Sequence, residues 1–213
     1  MTKPNHKPSP LGRPANPDAR AQRRAQIIEG TRACFLRNGF HAATTAEISA
    51  EAGVSVANLY QYFPTKEALV QALIEDDLAE DLALLRLVDE AGSLREGLAR
   101  LDTLLVAEPC YPEHARLKLE IIAEAARNPQ IAAVVRATDA KMVAAFINLL
   151  ERRQQAGEVR PDADPAVIAE LILALYDGLY GRLAFSSADQ AAMTRAASQV
   201  IIDAFANPPQ PSG

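Results

Sequence analysis

The stretch from Thr44 to Lys66, TTAEISAEAGVSVANLYQYFPTK, constrains this 213-residue chain more than any other segment, because it specifies two short helices joined by a tight turn. Thr44 followed three positions later by Glu47 is a capping box: the hydroxyl accepts an orphan backbone N–H and the carboxylate reaches back to the cap. A helix starts there. Ala46, Ile48, Ala50 and Ala52 are small or apolar, and Gly53 stands where a left-handed residue ends the helix. Val54 lies in the turn, Ser55 caps a second helix, and Pro64 stops that helix after Phe63. Leu59 and Phe63 are four apart and share its buried face, which leaves Val56, Ala57, Asn58, Tyr60, Gln61 and Tyr62 on the remaining surface. Two helices joined this way present the second of them to the major groove of DNA.

The longer segment GFHAATTAEISAEAGVSVANLYQYFPTKEAL resembles the DNA-binding domain of the TetR family of bacterial transcriptional regulators. The shared marks are a Gly-Phe pair, a short helix, Ala-Gly-Val-Ser, Leu-Tyr and a Phe-Pro-x-Lys-Glu run. The resemblance is gap-free over about residues 20 to 75, and AGEVRPDADPAVIAELILALYDGL is similar to the helical connection before the family's dimerisation helices. It implies phosphate contacts for Thr45, Ser55, Asn58, Tyr60, Tyr62 and Lys66, and places Ala46, Val56, Ala57 and Gln61 near base edges. Many members carry Lys or another polar residue at the position of Val56, Gly at Ala57, and Thr or Ser at Asn58. Two apolar side chains at the helix tip cannot make bidentate hydrogen bonds to bases but can pack on a thymine methyl. The departure therefore points to thymines and DNA shape in the sequence preference. Taken alone, Tyr60 and Tyr62 would read as ordinary helix packing.

The formal charge of −5 and isoelectric point near 5.3 look wrong for a nucleic-acid partner until the charge is followed along the chain. Residues 1–66 hold 9 Lys or Arg against 4 acids, whereas residues 67–213 hold 13 against 23. A basic head on an acidic body orients the molecule with its first part toward phosphates. Residues 1 to about 18 carry five prolines and no hydrophobic periodicity, so they read as a flexible basic arm. Arg13, Arg20, Arg23 and Arg24 are candidates for following a minor groove, with a solvated tail as the alternative.

With 49% hydrophobic residues the chain can bury a substantial core, and its periodicity is helical throughout. A first helix is expected over Asp18 to Asn38, carrying Ile27, Ile28, Thr31, Cys34 and Phe35 inward and closed by Gly39. Thr65 caps a long fourth helix with a stripe of Leu69, Leu73, Leu78, Leu82 and Leu85, which would link two domains. Start signals recur at Ser93/Glu96, Pro112/Glu113, Asn128/Pro129, Asp164/Pro165 and Ser187/Gln190. The expected fold is all-α with about nine helices: an arm (1–18), a helix-turn-helix domain (19–66), a helical effector-binding and dimerisation domain (67–206) and a disordered tail (207–213).

The segment Val167 to Leu179 is apolar nearly all round, too short and too charged to span a membrane, and so must be covered on more than one side. The resemblance makes it a dimer helix, with Leu171, Leu175, Leu179, Val200, Ile201 and Phe205 as interface candidates and Gly178 and Gly181 permitting close approach. A purely intramolecular core helix is the alternative.

The residues offer little for catalysis. His6, His41 and His114 lack metal-ligand spacing, no phosphate-cradling glycine loop or nucleophile elbow occurs, and no enzyme activity, metal or cofactor is expected. Cys34 reads as core, with a redox sensor as the alternative, and Cys110 is unassigned. The start contains no apolar run, which points to the cytoplasm. A cavity in the second domain would hold a small apolar or amphipathic effector, with Tyr111, His114, Phe146 and Tyr176 as lining candidates. These readings converge on a homodimeric repressor that an effector releases from a palindromic double-stranded DNA operator. A ligand-dependent activator of the same fold, or a helical small-molecule-binding or adaptor protein that ignores DNA, is the rival.

Overall fold

A computed structural model describes residues 17–107, 111–185 and 190–207, and among these the chain forms nine helices. They are α1 (Pro17–Ala42), α2 (Thr45–Glu51), α3 (Val56–Tyr62), α4 (Lys66–Asp89), α5 (Leu94–Ala107), α6 (Tyr111–Ala125), α7 (Pro129–Gln155), α8 (Pro165–Leu183) and α9 (Gln190–Phe205). The only β-type pairing among the described residues is an isolated antiparallel bridge between Val159 and Ala206. Arg13, Cys110 and Ser187, most of the arm and most of the C-terminal tail lie outside the described residues.

The helix starts follow the caps written in the sequence. Thr44 Oγ1 accepts from the Glu47 N–H at 3.2 Å while Glu47 Oε2 accepts from the Thr44 N–H at 2.8 Å, so the capping box before α2 is closed. That backbone hydrogen bond is the main cause holding the Glu47 carboxyl below its ordinary range. Ser55, Thr65 and Asn128 accept first-turn N–H groups of α3, α4 and α7 in the same way. Gly53, at φ 63°, makes the turn between α2 and α3.

The first helix breaks at Gly39, as its sequence implies, and a short further turn follows. Gly39 takes φ 73° and kinks the chain, and helical pairing resumes to Ala42. Beyond the kink, Glu120 of α6 accepts the Phe40 N–H at 3.3 Å, and Glu124 meets His41 Nε2 at 3.1 Å. A backbone donor freed by the kink is thereby satisfied from a helix far along the chain.

Two buried clusters run through the molecule. The first joins Ile27, Ile28, Phe35, Ile48, Leu59 and Phe63 to Leu69, Val70, Leu73 and Ile74 of α4, Leu117 of α6 and Ile131 of α7. Packing around the short helices thus extends past residue 66. The second joins Leu85, Val88, Leu94, Leu98, Phe146, Leu149, Leu150, Ile168, Ile172, Ile202 and Phe205. Helix α4 passes from one to the other, and Leu78 and Leu82, expected in its buried stripe, are half-exposed because they fall between the clusters. In that interval Arg32 of α1 reaches Asp77 at 2.6 Å and Asp76 at 3.3 Å, tying α1 to the middle of α4. Deeper in the second region, buried Asp102 of α5 accepts from the Tyr176 hydroxyl of α8 at 2.7 Å and the Ser198 hydroxyl of α9 at 3.2 Å. Three helices are pinned by one carboxylate, which satisfies the rule that a buried charge needs partners.

Candidate nucleic-acid interface

Helix α3 is held from behind. Leu59 is fully buried and Phe63 is 5% exposed, both in the first cluster. An α-helix turns about 100° per residue, so Ala57 and Gln61 stand opposite Leu59 and Phe63, at the crest of the outward side. Both are exposed, and Val56 and Tyr60 flank them at 39% and 46% exposure. Exposed apolar and aromatic side chains concentrated on one small helix mark a surface meant for a partner.

Around this crest the structure adds supports. The Tyr60 hydroxyl lies 3.4 Å from Thr45 Oγ1 of α2, joining the outer surfaces of the two short helices. Asn58 Nδ2 donates to Gln61 Oε1 at 3.2 Å. Ser55 is occupied as the cap, accepting the Asn58 N–H at 3.1 Å, and Ala46 lies exposed on α2. The Arg20 guanidinium lies 5.8 Å from the Tyr62 ring centre, and that of Arg24 lies 5.6 Å from Phe63 and 4.0 Å from Glu75. Arg20, Arg23 and Arg24, candidates for following a minor groove, are residues of α1. Their exposed side chains put positive charge beside the crest from a rigid helix.

Lys66 is also tied to the scaffold. Its ammonium donates to the Ala43 carbonyl at 2.7 Å and the His41 carbonyl at 3.4 Å, and sits 4.6 Å from the Phe40 ring centre. Burial lowers its pKa from the ordinary lysine value. Its donors close the end of α1 against the start of α4, so it clamps the scaffold. Lys66→Ala is expected to leave both carbonyls short of a donor and to cost about 1–3 kcal/mol of stability. Thermal melting checks this: an unchanged transition would show that the clamp contributes little to stability.

The other candidates fall into two groups. Leu171 and Val200 are 50% and 69% exposed, and with Val167 at 63% and Met193 at 65% they form apolar stripes on the open sides of α8 and α9. Leu175 and Ile201 are half-buried beside them. Leu179 and Phe205 are 9% and 4% exposed within their own chain, pointing inward from these helices. Of the effector candidates, His114 is half-exposed, Tyr176 is tied to Asp102, Phe146 is buried in the second cluster, and the side chain of Tyr111 lies outside the described set. Cys34 is fully buried with its thiol pKa raised by burial, as a core residue requires.

Sequence spacing could not have found the contacts that fix the head to the body. Arg32 and Asp77 are 45 residues apart, and Phe40 and Glu120 are 80. The Asn58 and Gln61 pair was accessible in principle, since residues three apart on a helix are neighbours.

Capped short helices, a buried rear face and an exposed crest flanked by arginines define a helix-turn-helix DNA-binding protein. Residues 27–73 match the family described as bacterial regulatory proteins of the tetR family, and residues 94–206 match that of the BetI-type transcriptional repressor C-terminal region. Among curated relatives, the transcriptional regulator UidR of Escherichia coli K12 is 33% identical over 79% of this chain and 84% of its own. The transcriptional repressor Rv1474c of Mycobacterium tuberculosis is 30% identical over 78% and 85%. Among solved structures, GusR of Salmonella enterica superposes with a TM-score of 0.72 at 28% identity, covering 85% of this chain and 96% of that one. The chain belongs to the TetR family of helix-turn-helix transcriptional regulators.

Proposed function

We propose that this regulator is a homodimeric repressor that places two copies of α3 in successive major grooves of a pseudo-palindromic operator. The observation that carries the reading is the crest of α3: Val56, Ala57, Tyr60 and Gln61 exposed together over a fully buried Leu59. Thr45, Ala46, Ser55, Asn58 and Tyr62 lie around it, and Arg20, Arg23 and Arg24 supply flanking charge. The apolar stripes of Val167 and Leu171 on α8 and of Met193 and Val200 on α9 support a two-fold four-helix contact. The head, residues 19–66, reads DNA in the cytoplasm, and residues 67–206 pair subunits and bind an effector.

The effector site fits the interval of α4 between the two buried clusters. Asp81 lies there, its carboxyl pushed up by burial despite the nearby Lys118 ammonium, and Lys118 in turn meets Asp177 of α8 at 2.7 Å. Half-exposed Leu78 and Leu82 lie on the same stretch. Charged groups beside apolar ones suit an amphipathic molecule better than a wholly apolar one. By preferring one spacing of the two heads, such a ligand would shift the population away from the DNA-bound form, with α4 and its Arg32 tie as the lever.

Selection of bound duplexes from a random pool tests the reading. A two-fold symmetric motif is expected, with an affinity that falls steeply as salt rises. Failure to enrich any duplex at low salt would favour a helical small-molecule-binding protein.

A further inference from the structure

Of the two residues of α3 directly opposite its buried face, one carries a hydrogen-bonding side chain. Opposite the buried pair Leu59 and Phe63 stand Ala57, which has no polar side-chain atom, and Gln61. A free glutamine amide offers both a donor and an acceptor, which matches the N6 and N7 edge of adenine. Here the amide is not free, because its Oε1 accepts from Asn58 Nδ2 at 3.2 Å.

The direction of that hydrogen bond follows from where Asn58 sits. It occupies the third position after the Ser55 cap, in the first turn of α3, where backbone N–H groups create a positive field. That field favours the arrangement in which the Asn58 oxygen faces the helix start and its NH2 faces Gln61, in agreement with the 3.2 Å contact. Planarity of the amide then directs the Gln61 NH2 away from Asn58, so the crest offers donors.

Resting on the proposed DNA-binding role, we infer that Asn58 is a positioning residue that turns the Gln61 NH2 toward the base as a donor, selecting guanine through its O6 and N7 acceptors over adenine. Guanine is the base whose major-groove edge offers two adjacent acceptors from a purine. The methyl of Ala57 beside it accommodates a neighbouring thymine methyl. The half-site therefore contains a guanine whose recognition depends on Gln61 and whose identity depends on Asn58.

The experiment is duplex selection from a random pool, run in parallel on the unaltered chain and on Gln61→Ala, Asn58→Ala and Asn58→Asp, each first confirmed to melt as the parent does. The unaltered chain is expected to enrich guanine at one position per half-site, and Gln61→Ala to lose the preference there alone. Asn58→Ala frees the amide, and the guanine-to-adenine ratio at that position should fall by about 10-fold, within the discrimination one good base contact supplies. In Asn58→Asp the carboxylate only accepts, so it draws the Gln61 NH2 to itself and turns Oε1 outward, and the position should switch to adenine or cytosine, whose exocyclic amines donate. Adenine at the Gln61-dependent position of the unaltered chain, or a preference unmoved in both Asn58 variants, would overturn the inference while leaving DNA binding intact. Enrichment of no duplex by the unaltered chain would instead overturn the DNA-binding role itself.

Discussion

Ala57→Glu is expected to weaken binding to a selected duplex by about 100-fold or more, roughly 2.7 kcal/mol, with no loss of folding. Ala57 lies exposed at the crest of α3, directly opposite Leu59. A carboxylate there enters the groove between two rows of phosphates, and in a symmetric assembly it does so twice. Folding is spared because a glutamate in the first turn of a helix is favoured by the terminal N–H groups, and exposed substitutions of this kind stay within about 0.5 kcal/mol. Fluorescence anisotropy on the duplex and thermal melting on the free protein separate the two effects. A variant that melts normally and still binds tightly would mean that α3 does not face the groove.

Gly97→Ala is the stability counterpart. A Cβ added at Gly97 in α5 would lie 2.5 Å from the Val88 carbonyl oxygen and 2.9 Å from its Cα, at the end of α4. The obstacle is largely backbone, so no side-chain rotation relieves it and the two helices must separate. Val88, Leu94 and Leu98 all belong to the second buried cluster, which such a separation would loosen. Overpacking of this kind costs about 1–3 kcal/mol, equivalent to a fall of several degrees in melting temperature for a chain of this size. Denaturant titration should show the loss with an unchanged slope, while the head, whose cluster is separate, keeps its duplex preference. An unchanged midpoint would show that α4 and α5 are less closely fitted than the geometry indicates.

The helix starts were legible because each depends on residues three apart: Thr44 with Glu47, Ser55 with the Asn58 N–H, Thr65 with the Ala68 N–H, Asn128 with the Ile131 N–H. The inward face of α3 was legible for the same reason, since Leu59 and Phe63 differ by one turn. What spacing does not hold is the relation between distant helices. Leu78 and Leu82 continue the apolar rhythm of α4, yet they are half-exposed because the buried clusters lie at either end of that helix. The clamp made by Lys66 was not legible, because its partners are backbone carbonyls of Ala43 and His41, which carry no signature in side-chain identity. Phe205 and Leu179 share the apolar character of Val200 and Leu171, and only the directions of α8 and α9 in the bundle separate inward from outward positions.

The proposed dimer sets two copies of α3 in the grooves of one symmetric site. Sedimentation of the protein with a duplex carrying the selected motif measures this directly, through the mass of the complex and the spacing of half-sites it requires. The account predicts two chains per motif, with half-site centres about 10 base pairs apart or a multiple of that, and loss of the complex when the spacing is changed by about five base pairs. One chain bound per motif, or binding indifferent to spacing, would contradict it.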